Sequence, residues 1–123
     1  MKIRISDNSI RLRLSRTDVA QLKEHKQVTG KTAFPGQEVF RYTLQSETGL
    51  DTIKATFMQG EITITVPQSQ ADMIANSDQI GIEDYLENGT DEKLFLLIEK
   101  DLKCLDGNRG DQSDKYDHPT KEC

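Results

Sequence analysis

One stretch of sequence, residues 9–22 (SIRLRLSRTDVAQL), restricts the possible folds more than any other. Its first half alternates apolar residues with two arginines, and this period of two places the apolar side chains on one face of a β-strand. Ser15 then stops the alternation and, with Asp18 three residues later, has the spacing of a helix-capping box. The stretch therefore predicts a strand that leads directly into a helix.

A second alternating run, residues 2–5, precedes this strand, and Ser-Asp-Asn-Ser at residues 6–9 separates the two runs. Asp and Asn tolerate turn conformations, so the two runs are predicted to form a β-hairpin. The isoleucines and leucines share one face of that hairpin. The opposite face is predicted to carry four basic side chains, which are Lys2, Arg4, Arg11 and Arg13.

The apolar positions of the opening stretch recur later in the chain at one constant offset. Ile10, Leu12, Leu14 and Leu22 fall on Ile62, Ile64, Val66 and Ile74. Hairpin, helix and hairpin are predicted in that order over residues 2–45 and again over residues 53–100. A duplicated ββαββ unit accounts for this pattern, and a chance likeness of two unrelated units is the alternative.

Together these patterns predict one α+β domain over residues 1–105, with about eight strands and two helices. Because short turns join neighbouring strands, the strands are expected to form an antiparallel sheet that is curled or closed into a barrel. Residues 106–123 contain charged and polar side chains with almost no apolar ones. They are predicted to form a flexible polar tail without a core of its own.

The opening MKIRISDNSIRLRL and the later EKDLKCL resemble a family of short, uncharacterised bacterial proteins, a domain family of unknown function. That resemblance implies a shared fold and no particular activity. In topology alone, the two strand-helix-strand units are also similar to the CYTH, or triphosphate tunnel, enzymes, which close an eight-stranded barrel around a triphosphate channel. Those enzymes open with a metal-binding E-x-E-x-K strand, whereas this chain has arginines in the corresponding strand.

The polar face of the predicted sheet is the main candidate for a functional site. If the sheet curls, its basic side chains converge and the arginines can hold a phosphate or carboxylate through paired hydrogen bonds. If the sheet is open, the same side chains form an ordinary solvated face. The candidate ligand-binding residues are Lys2, Arg4, Arg11, Arg13, Arg41 and Lys54.

Three residues near the carboxyl end, Cys104, His118 and Cys123, could act as soft metal ligands. Their spacing matches no compact zinc motif, and three ligands leave a tetrahedral site incomplete. The alternative is a tail with two incidental thiols, which the sequence favours. No cofactor-binding motif and no set of catalytic residues is found in the sequence.

Charge and hydropathy exclude several classes of protein. The net charge is −5, and aromatic residues are only 6% of the chain, so general nucleic-acid binding is not expected. No apolar run is long enough to cross a bilayer, and the amino-terminal residues lack the order of a signal peptide. The cytoplasm is the default compartment, and membrane association is not expected.

Two functions remain open on the sequence alone. The first is a binding protein that holds a small anion or an acidic protein partner through the basic face. The second is an enzyme on a degenerate tunnel fold that acts on a phosphorylated substrate. Because the strand that corresponds to E-x-E-x-K lacks carboxylates, the sequence favours the first function over the second.

Overall fold

The protein, described by a computed structural model over residues 1–103, contains eight strands and two helices. The elements are, in chain order, β1 (Lys2–Ser6), β2 (Ser9–Leu14), α1 (Arg16–His25), β3 (Gln27–Ala33), β4 (Val39–Glu47), β5 (Lys54–Met58), β6 (Glu61–Pro67), α2 (Gln68–Asn76), β7 (Gly81–Leu86) and β8 (Leu94–Lys100). A short 3₁₀ turn at Pro35–Gln37 joins β3 to β4. The alternating sequence runs form strands because each presents one apolar face.

The strands form two separate sheets of four strands each. Sheet A has the order β1-β2-β8-β7, and sheet B has the order β3-β4-β6-β5. In each sheet the two central strands, β2 with β8 and β4 with β6, run parallel, while the outer pairs are antiparallel hairpins. Both sheets are therefore mixed and have open edges.

The prediction of one antiparallel sheet, curled or closed into a barrel, is therefore wrong. Alternation in the sequence determines which side chains of a strand are buried, but it does not determine which strand lies beside it. The central parallel pairs join strands that are more than 80 residues apart in sheet A and about 20 apart in sheet B. With two open sheets, the tunnel-enzyme alternative loses its architectural basis.

The two helices connect the sheets and complete the core. The chain passes from β2 in sheet A through α1 to β3 in sheet B, and returns from β6 through α2 to β7. The helices pack against each other, and both contact strands of the two sheets. One apolar cluster includes both sheets and both helices, with Leu12, Leu44, Ile64 and Ile98 almost fully buried.

The order strand-strand-helix-strand-strand occurs twice, from β1 to β4 and from β5 to β8. The first hairpin of each run pairs with the second hairpin of the other run, so the two sheets have matching connectivity. The registers also match: Leu12 lies opposite Ile98 in sheet A, and Ile64 lies opposite Leu44 in sheet B. The origin of the two runs by duplication stays a prediction.

The predicted capping box begins α1 and is confirmed. The Ser15 hydroxyl accepts from the Asp18 backbone N–H at 3.1 Å, and the Asp18 carboxylate accepts from the Ser15 N–H at 2.8 Å. The ammonium of Met1 lies 2.9 Å from the same carboxylate. Burial raises the pKa of Asp18, but hydrogen bonds from the Met1 ammonium and from Ser15 outweigh it and hold the pKa below its ordinary value of 3.8.

Replacing Asp18 with asparagine is expected to lower the free energy of unfolding by about 1–2 kcal/mol at neutral pH, because the contacts from the Ser15 N–H and the Met1 ammonium lose the charge of the carboxylate. A lowered carboxyl pKa contributes stability above the unfolded-state pKa and loses it as the pH falls through the folded-state pKa. The difference between the two proteins should therefore shrink in acid. Urea unfolding at pH 7 and at about pH 3 measures the difference in free energy of unfolding between the two proteins. An equal difference at both pH values contradicts a lowered pKa of Asp18.

Neither helix within residues 1–103 is long and apolar enough to span a membrane.

Candidate functional site

Four of the six predicted ligand-binding residues lie together on the outer face of sheet A, the face turned away from the core. Strand register places Lys2 opposite Arg13 and Arg4 opposite Arg11 on the β1–β2 hairpin. Leu12 and Leu14, which alternate with the arginines, point into the core. The hairpin thus presents four cations on one side because its apolar residues occupy the other.

Glu99 on the adjacent central strand β8 neutralises part of this charge. Its Oε1 accepts from Arg11 Nε at 2.7 Å, lies 2.5 Å from Arg11 Nη2, and accepts from Arg13 Nε at 3.2 Å. Glu99 is only 8% exposed, and both arginine side chains contact it. One carboxylate therefore serves two guanidinium groups, and these groups keep several N–H donors that Glu99 does not use.

Lys2 at the edge of the sheet is paired with Asp101, which follows β8. The Lys2 ammonium lies 2.9 Å from the Asp101 carboxylate, and its hydrogen bond holds the pKa of Asp101 below the usual range. Since both groups are solvent-exposed or nearly so, this pair contributes little to stability. Asp101 thus neutralises the charge of Lys2 at this end of sheet A.

Arg4 is the one basic residue of this hairpin without an acidic partner among residues 1–103. Its side chain is exposed and lies directly across from Arg11. The two arginines border an open depression of about 370 Å³ on the outer face of sheet A. This arginine depression is lined by Arg4, Ser6, Ser9, Arg11, Phe95 and Leu97.

Sequence reasoning did not assign Phe95 and Leu97 to the site. The only signal was that β8 carries apolar residues on both faces, which indicated a central or covered strand. The strand is central, and its Leu96 and Ile98 enter the core. Phe95 and Leu97 point to the other side and form the apolar part of the depression, where Phe95 also contacts Tyr85 with ring centroids 4.9 Å apart.

The remaining two predicted residues, Arg41 and Lys54, belong to sheet B and do not join the other four. Arg41 on β4 lies opposite Lys31 and Glu61, while Lys54 on β5 lies opposite Thr65. Both side chains are exposed. The sequence placed all six residues on one face because it predicted a single sheet, and the division into two sheets separates them.

The weak metal candidates Cys104, His118 and Cys123 lie outside the described residues. Within residues 1–103, no three His, Cys, Asp or Glu side chains are grouped so as to hold a metal ion.

Comparison with known proteins gives a family and no activity. Residues 1–120 match a family described as a family of unknown function, DUF7009. No curated protein and no solved structure matches the chain. The expected resemblance to an uncharacterised family is thereby confirmed, whereas the topological similarity to the CYTH enzymes finds no support. The match spans nearly the whole sequence, and the chain belongs to the DUF7009 family of unknown function.

Proposed function

We propose that the protein is a binding module that holds the anionic group of a ligand, a phosphate or a carboxylate, in the arginine depression on sheet A. The observation that carries the proposal is the Arg4–Arg11 pair. These two arginines are direct cross-strand neighbours, and Glu99 binds Arg11 but not Arg4. Like charges directly opposite each other destabilise a sheet, and a bound anion relieves that repulsion.

The chemistry of the depression suits an anion. A guanidinium group presents N–H donors in a planar fork that matches the oxygens of phosphate or carboxylate. Ser6 and Ser9, cross-strand neighbours at the end of the hairpin, add two hydroxyl groups to the lining. The lining thus combines charged and neutral donors in a protein whose net charge is −5.

Charge on the arginine side of the depression supports the same conclusion, whereas Asp7, Asp91 and Glu92 lie beyond its Ser6–Ser9 end. Lys2, Arg4, Arg11 and Arg13 share the outer face with two paired carboxylates, Glu99 and Asp101, and with Glu83, which leaves an excess of one positive charge. Leu97 separates Glu83 from Arg11, so two strand spacings of about 4.8 Å lie between their backbones. Either a small anion or an acidic group on a partner protein could use this excess.

The test is thermal stabilisation of the full chain by phosphate or sulfate at constant ionic strength. At a concentration about tenfold above Kd, linkage adds about 1.4 kcal/mol to the free energy of unfolding, which corresponds to a rise in Tm of roughly 4–8 °C. Arg4→Gln is expected to remove most of that rise without lowering the Tm of the unliganded protein. Arg41→Gln, which changes an exposed arginine on sheet B, is the matched control and should leave the rise unchanged.

A rise no larger than that produced by chloride of equal ionic strength contradicts the proposal, and so does an equal loss in both variants. Arg11 and Arg13 are less suitable for this test. Both bind the buried Glu99, so removing them leaves a buried carboxylate without its partners and destabilises the fold itself.

A further inference from the structure

We propose that the natural ligand of the arginine depression is an amphiphilic organic anion, in which a phosphate or carboxylate head is joined to an apolar group of about the size of a phenyl ring. The head lies against Arg4 and Arg11, and the apolar group lies on Phe95 and Leu97. This inference rests on the proposed anion-binding function and extends it by specifying what the anion is attached to.

The register of the central strands puts the two kinds of surface side by side. In the parallel β2–β8 pair, Ser9 lies opposite Phe95 and Arg11 lies opposite Leu97. Directly paired strands are about 4.8 Å apart, a separation that an aryl phosphate or carboxylate can span from its anionic oxygens to the far edge of its ring. A single small molecule therefore spans the charged and the apolar parts of the depression.

The apolar part of the depression is not explained by the core. Phe95 and Leu97 are half-buried, yet neither packs against the core cluster that holds Leu96 and Ile98. Tyr85 continues the apolar surface on β7 and is 63% exposed. Ligand sites combine apolar side chains with a few polar groups, and Phe95 and Leu97 give the arginine depression that combination.

Sheet B shows that the fold does not require apolar residues at these positions. The two sheets can be aligned by placing Leu12 of β2 on Ile64 of β6. In that alignment Phe95 of β8 corresponds to Arg41 of β4, and Leu97 corresponds to Thr43. In sheet B the cross-strand row that contains Thr43 consists of threonines only, which are Thr29, Thr43, Thr63 and Thr56. The hydroxyl groups of Thr29 and Thr43 are hydrogen-bonded at 2.9 Å. The same framework thus carries a polar outer face in one sheet and an amphiphilic one in the other.

Matched pairs of probes test the inference on the full chain by calorimetry or NMR titration. Phenyl phosphate is compared with inorganic phosphate, and benzoate with acetate, at one ionic strength and pH. We expect the aryl member of at least one pair to bind about fivefold tighter or more, since part of the ring leaves water. In the wild-type protein the side-chain signals of Phe95 and Leu97 should shift further with the aryl probe than with the inorganic ion.

Leu97→Thr places at this position the residue that stands at the matching position of sheet B, and it should abolish the preference for the aryl probe while inorganic phosphate still binds. Phe57→Thr, which alters an exposed apolar residue of sheet B, is the control and should keep the preference. Equal binding of aryl and simple anions overturns this inference but leaves the anion-binding function standing. Absence of binding by every probe overturns both. A preference that survives Leu97→Thr, or Phe95 and Leu97 side-chain signals that respond equally to both probes, overturns the placement of the ring.

Discussion

Leu12→Ala in sheet A and Ile64→Ala in sheet B are each expected to lower the free energy of unfolding by about 2–5 kcal/mol, the usual cost of deleting a large buried aliphatic side chain. Both residues are only 1% exposed and belong to one continuous core cluster. Because α1 and α2 join the two sheets through that cluster, each variant should still unfold in a single transition. Chemical denaturation followed by circular dichroism and by tyrosine fluorescence measures both quantities.

Ile5 and Phe57 provide the controls for these two variants. They lie on the core-facing side of β1 and β5, close to the hairpin turns, but they are 53% and 68% exposed. Their replacement by alanine should cost less than about 1 kcal/mol, since little apolar area leaves the core. Two separate transitions in the core variants, or losses as large in the controls, contradict a core shared by both sheets.

Glu99→Gln is expected to have two opposite effects. It should lower the free energy of unfolding by about 2 kcal/mol, because Arg11 and Arg13 lose the charge of the carboxylate that they share. It should also strengthen phosphate binding in the arginine depression roughly fivefold. Removing one negative charge near the bound anion makes the binding free energy more favourable by about 1 kcal/mol at the effective dielectric of a protein surface.

The control for this variant is Glu83→Gln, which removes a carboxylate from the same face. Glu83 is exposed and makes no ion pair within the described part of the chain, so its replacement should change stability by less than about 0.5 kcal/mol. Denaturation in phosphate-free buffer and phosphate titration separate the two effects of Glu99→Gln. Weaker phosphate binding in Glu99→Gln would mean that Glu99 positions the arginines for the ligand more than it competes with it.

Local structure follows closely from the sequence in this protein. Alternation at residues 2–5 and 9–14 determines the faces of β1 and β2, and Ser15 with Asp18 determines where α1 begins. These features depend on interactions between residues a few positions apart. For the same reason, the basic residues of the first hairpin could be placed on one face from sequence alone, and Leu12 and Leu14 could be assigned to the core.

The candidate site needed information that alternation does not hold. The arginines receive their carboxylate from Glu99, and the depression receives its apolar wall from Phe95 and Leu97, all on a strand more than 80 residues away. Arg41 and Lys54 carry the same sequence pattern as Lys2 and Arg4 but lie in the other sheet. Alternation with a period of two is the same in any sheet, so it does not show which sheet a strand belongs to.

The sequence by itself determined most of the strands, both helices and the inward and outward faces of β1, β2 and β6, because those depend on neighbouring residues and on the burial of apolar side chains. Only the tertiary structure decided that the strands divide into two mixed sheets, with β2 beside β8 and β4 beside β6. Such long-range parallel pairing is selected by how the whole set of apolar faces and helices packs into one core, a property of the complete chain rather than of any segment.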